Sequence, residues 1–115
     1  MSGEGPPQGL DRRIAMVRVG EDAALLQEIA ALFLVESQKD LEQIRSAIAA
    51  ADAHAVERAA HGLKGAAANF GAAAAVEAAQ RLEVLGRAGN LEETPDALVT
   101  LERTLHELCE ELRTL

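Results

Sequence analysis

His61 and Lys64 stand one helical turn apart in the run Ala60-His61-Gly62-Leu63-Lys64-Gly65, which continues through Ala66, Ala67 and Ala68 to Asn69-Phe70-Gly71. The run reads as a helix, yet it carries two glycines. Each costs roughly 1 kcal/mol relative to alanine in a helix interior, and alanine is abundant on either side. Something other than helix stability must therefore account for them. At ~100° per residue, His61, Lys64, Gly65 and Ala68 share about a third of the circumference. Val56, Ala60, Leu63, Ala67 and Phe70 form a separate apolar seam. His61 is thus expected to point away from the core, with a cation one turn on and a missing side chain beside it. An accessible neutral imidazole is a competent nucleophile at about pH 7.

The elements that position this ring must be helices. The chain has 115 residues, 49% hydrophobic but only 2% aromatic, with neither Trp nor Tyr. A core of Leu, Ile, Val and Ala favours closely packed helices, and the length suits one domain. Met1 to Gly9 hold three glycines and the Pro6-Pro7 pair, so residues 1–10 are expected to form a disordered tail or linker and 11–115 the domain. A short helix is predicted from Asp11 to Val17, capped by Asp11, with Ile14 inward and Gly20 ending it. A long helix follows over Asp22–Ala50. Its Leu26, Ile29, Phe33, Leu41, Ile44 and Ile48 recur at three- and four-residue steps, and a polar section at Glu36–Asp40 is expected to leave the core or border a functional surface. Asp52 caps a helix over Ala53–Asn69, Gly71 ends it, and another runs over Ala73–Ala88 to the stop signal Gly89-Asn90. Thr94-Pro95 reads as an N-cap and first helical residue. Beyond it Leu98, Leu101, Leu105, Leu108 and Leu112 keep the clearest amphipathic spacing in the chain. The fold is expected to be all-α: an antiparallel four-helix bundle with a short additional N-terminal helix.

The formal net charge of −8, from 11 basic and 19 acidic residues, argues against nucleic acid or an anionic membrane as partner. The single cysteine, Cys109, rules out an internal disulfide and a multi-thiolate zinc site, and is expected to be an inert, partly buried thiol. No stretch reaches the ~20 apolar residues of a membrane span, and no signal peptide is visible. The cytoplasm is the expected location, and a monomer the expected state.

The run from Ala60 to Gly71 resembles the signature of histidine-containing phosphotransfer (HPt) domains, His-x-x-Lys-Gly followed six residues later by Gly. The helix over Leu25–Ile48, the Asp52 turn, and Leu82-Glu83 followed by Arg87 and Gly89-Asn90-Leu91 extend the likeness over roughly Leu10 to Leu112. The resemblance implies a phosphorelay carrier of two-component signalling. His61 would accept a phosphoryl group from one receiver-domain aspartate and pass it to another. Lys64 would pair with phosphoryl oxygens as charge develops on them, and Gly65 would clear room for the receiver's active site. Arg87 would be a second, supporting basic residue, and Glu83 stands near a position where a polar side chain often orients the imidazole. The implied partners are response-regulator receiver domains and a hybrid sensor histidine kinase. No metal or cofactor is expected on this chain, since Mg2+ would come with the receiver. The carrier would have no catalytic turnover of its own. Gly62, and Ala66-Ala67 in place of frequent serines, depart from the family pattern, and Gly62 has no assigned role.

Other readings weigh less. His54 and His106 read as ordinary exposed histidines, Lys64 alone could be a solvated lysine, and the leucine row of the last helix reads as core. A di-iron bundle needs Glu-x-x-His on two helices, and no such motif occurs. A non-phosphorylated adaptor bundle is opposed by the presence of both His61 and Lys64. The phosphotransfer domain of a chemotaxis-type kinase would require an attached ATP-binding domain, which favours a free-standing carrier or the excised end of a hybrid kinase.

Overall fold

The computed structural model describes residues 9–115, and within them every element is a helix: α1 (Arg12–Arg18), α2 (Ala23–Ala49), α3 (Ala53–Ala68), α4 (Ala73–Ala88) and α5 (Thr94–Leu112). Aspartates set three of the starts. The side chain of Asp11 accepts from the N–H groups of Arg13 and Ile14, that of Asp22 from Leu25, and that of Asp52 from Ala55. Each satisfies a donor that the first helical turn leaves open, a contribution of typically ~1 kcal/mol. Gly71 and Gly89 take left-handed backbone at φ 61 and 72, where glycine escapes the Cβ clash that other residues meet, and so stop α3 and α4.

Helices α2 to α5 form the bundle in cyclic order, each packed against its two neighbours, and α1 lies against α2. The seam expected on α3 is fully inside: Val56, Ala60, Leu63, Ala67 and Phe70 are all buried. So are Leu101, Leu105, Leu108 and Leu112 of α5, whereas Leu98 is only partly covered. Both phenylalanines sit at one end, Phe33 of α2 meeting Phe70 edge to face with ring centres 5.1 Å apart. Small side chains let α3 and α4 approach closely. At Gly86 a Cβ would lie 2.7 Å from the backbone nitrogen of Glu57 and 2.8 Å from the carbonyl oxygen of Ala53.

Four local expectations are corrected. Ile14 is 42% exposed and packs over the α3–α4 turn beside Gly71, and the residue of α1 that enters the core is Ala15. The polar section of α2 does not leave the core: Ser37 is fully buried, its hydroxyl 3.8 Å from the sulfur of Cys109. The cap of α5 is Glu93, and Thr94 is already helical and buried, its hydroxyl donating to the carbonyl of Leu91 at 2.7 Å. The packed chain also begins before residue 11. Leu10 is buried, and its N–H donates to Oε1 of Glu111 at 2.5 Å. The remainder of the expected tail, residues 1–8, lies outside the described residues.

Candidate functional site

The site lies where α3 and α4 run closest, and its centre is a carboxylate. Glu83 faces α3 from α4 with its side chain only 6% exposed, while the side chain of His61 opposite is 68% exposed. Between them Nδ1 of His61 and Oε2 of Glu83 are 2.8 Å apart. Nζ of Lys64 lies 2.6 Å from Oε1 of the same carboxylate. Arg87, one turn beyond Glu83 on α4, donates from Nη2 to Oε2 at 2.9 Å and from Nε to Oε2 of Glu57 at 2.9 Å.

Burying a carboxylate opposes its ionisation, but here the partners prevail. The hydrogen bond from Lys64 is the largest influence on Glu83 and, with that from His61, holds its pKa below the ordinary carboxylate value against desolvation. An ionised carboxylate can only accept hydrogen bonds. The proton shared with His61 therefore resides on Nδ1, which in the neutral ring leaves the lone pair on Nε2 of a largely exposed side chain. One buried charge thereby fixes the tautomer and the rotation of an exposed ring.

Each residue singled out from the sequence has a definite place. His61, Lys64, Glu83 and Arg87 come together. Gly65 stands in the open, where a Cβ would meet nothing within 4 Å, so close helix packing is not its reason, and the same holds for Gly62. His54 joins the site's edge: with Glu57, Arg58, His61, Glu83 and Arg87 it lines a recess of about 340 Å³. Glu57 was missed, although it is four residues before His61 on the same helix and opposite Arg87. Gly86, where a Cβ would meet the backbone of Glu57 and Ala53, sets the distance at which α3 and α4 hold His61 and Glu83. Among the described residues no group of three or more His, Cys, Asp or Glu is placed to hold a metal ion, and no helix is long and apolar enough to cross a membrane.

Comparison with known proteins bears on the family and the fold. The family model described as Hpt domain matches residues 28–114. No match is found among curated proteins. Among solved structures, histidine-containing phosphotransfer protein B (HptB) from Pseudomonas aeruginosa PAO1 superposes with a TM-score of 0.88 at 24% sequence identity, covering 96% of this chain and 95% of that one, and so shares the fold.

Proposed function

Because the chain belongs to the Hpt domain family, we propose that His61 is its phosphoryl acceptor, attacking through Nε2. The chain is a histidine phosphotransfer carrier of two-component phosphorelays, and receiver domains are its class of partner. The observation that carries the assignment of His61 is the pairing of its Nδ1 with buried Glu83, which leaves an exposed Nε2 of defined tautomer.

In the transfer, the Nε2 lone pair of His61 forms a bond to the phosphorus of the receiver's aspartyl phosphate. The phosphorus–oxygen bond to the aspartate breaks, and its electron pair returns to that carboxylate. The proton on Nδ1 stays in place, so the phosphorylated ring carries positive charge, which Glu83 stabilises at 2.8 Å. Lys64 is within reach of both Glu83 and the incoming group. As phosphoryl charge arrives its ammonium turns outward, and Glu83 keeps His61 and Arg87 as partners. Transfer to a second receiver is the reverse of these steps. In this reading magnesium and its acidic ligands come with the receiver, and the chain acts as a carrier without turnover of its own. A cytoplasmic monomer, fed by a free receiver or by that of a hybrid sensor kinase, fits the same reading.

Incubation with a phosphorylated receiver domain tests the assignment. Wild-type chain takes up acid-labile, base-stable phosphate, and His61→Gln takes up none. Uptake by His61→Gln at the wild-type rate refutes it.

A further inference from the structure

Three cationic side chains surround His61, and two of them are already committed. Lys64 is paired with Glu83, and Arg87 with Glu57 and Glu83. Those two positive and two negative charges balance. Arg58 is the third, and among the described residues it forms no ion pair and no side-chain hydrogen bond with a carboxylate. It lies three residues before His61 on the solvent face of α3, a spacing that makes the two side chains neighbours about 5–6 Å apart at Cβ. It also stands on a ridge. Arg58 lines both the recess that holds His61 and an open groove of about 920 Å³ between α2 and α3 that includes Lys39, Ala55 and Ala59.

We infer that Arg58 is a docking residue for the transfer reaction, its guanidinium pairing with the carboxylates that surround the incoming aspartyl phosphate. The inference rests on the phosphocarrier reading above. Its physical basis is the balance of charge. The chain as a whole carries −8, so an acidic receiver surface is repelled at long range and needs a local positive charge where it must land. Lys64 gives that charge only by leaving its pair with Glu83, and Arg87 only by leaving Glu57 or Glu83, whereas Arg58 gives it without breaking an existing pair. Its place also suits the geometry of attack. Nδ1 of His61 is turned to Glu83 of α4, and Arg58 stands on the helix that bears the ring and lines the same recess. An exposed cation that meets the partner's rim acts on encounter and affinity, leaving the chemical step to Lys64 and Glu83.

The test measures phosphate uptake against receiver concentration, using as donor the phosphorylated receiver domain that charges wild-type chain fastest among those of the same genome. Arg58→Ala is expected to raise the half-saturating receiver concentration about tenfold at low salt, with the saturated rate within about twofold of wild type. The gap closes as salt rises, because the screening length shrinks from about 10 Å at 0.1 M to 3 Å at 1 M. Arg58→Lys restores most of the loss, and Arg58→Glu deepens it. An Arg58→Ala chain with unchanged half-saturation, or one in which only the saturated rate falls, overturns the inference. Failure of wild-type chain to accept phosphate from any receiver overturns the phosphocarrier reading itself.

Discussion

The three glycines at positions 62, 65 and 86 all lie inside helices, and the same substitution should move them in opposite directions. At Gly86 an alanine Cβ would lie 2.7 and 2.8 Å from backbone atoms of Glu57 and Ala53. Optimal carbon contacts fall at about 3.5–4.0 Å, so α3 and α4 must separate by roughly 0.7–1 Å. Overpacking of this kind costs typically 1–3 kcal/mol, and the upper part of that range applies because backbone cannot rotate away. The gain in helix propensity returns ~1 kcal/mol, which leaves Gly86→Ala less stable by about 1–2 kcal/mol, or roughly 4–8 °C in Tm for a domain of this size. Gly62→Ala and Gly65→Ala meet nothing within 4 Å and should each gain up to ~1 kcal/mol. Urea and thermal denaturation of the three variants measure these values. Phosphate uptake gives a second readout, since Glu83 and Arg87 move with Gly86 and should align His61 less well. A Gly86→Ala chain that melts at or above the wild-type temperature refutes the close-packing argument. A destabilised Gly62→Ala refutes the claim that its site is open.

Glu83→Gln should slow uptake, because an amide cannot balance the charge of a phosphorylated ring. The pH dependence follows from its lowered pKa: the stability that ionised Glu83 contributes is fully present above the ordinary glutamate value of ~4.3 and is lost as pH falls through the folded-state value. Urea titrations of wild type and variant should therefore converge in acid, and a gap that widens there would contradict the pairing. Lys64→Ala should slow transfer by an order of magnitude or more while costing only about 1 kcal/mol, as Glu83 retains two partners; equal transfer rates would remove Lys64 from the mechanism. Cys109, whose pKa is raised chiefly by burial, should resist iodoacetamide in the native state and react once the chain is unfolded in urea. Prompt alkylation of folded protein would show that the α2–α5 contact opens.

The helices and most of their ends were legible because a local signal marked them: Asp11 and Asp52 as caps, and Gly71 and Gly89 as stops. The buried seam of α3 was equally clear from spacing alone. Errors arose where the deciding partner is distant in sequence. Ser37 looked like surface until Cys109 of α5 supplied its contact, and Ile14 looked like core because the seven residues of α1 cannot show that it packs over the turn between two other helices. The site followed the same rule. His61, Lys64 and Gly65 form one short motif, whereas the link to Glu83 spans 22 residues and depends on the α3–α4 separation set by Gly86. Spacing within one helix could not reveal that Glu57 shares Arg87 with Glu83.

The bond from Leu10 to Glu111 joins residues 101 positions apart, and so brings the two ends of the packed chain together at one pole. A chain whose ends meet can be reconnected and opened elsewhere. The turn before α3 is a suitable opening: Ala51 there holds φ 54, a left-handed value that costs a non-glycine residue roughly 1–2 kcal/mol. A circular permutant with a short linker from Leu115 back to Gly9 and new termini at Ala50 and Ala51 would relieve that strain and leave Asp52 free to cap α3. It would keep His61 and Glu83 on adjoining helices in an unbroken stretch, and would place both termini near the α2–α3 turn, away from Phe70 and the end that α1 covers.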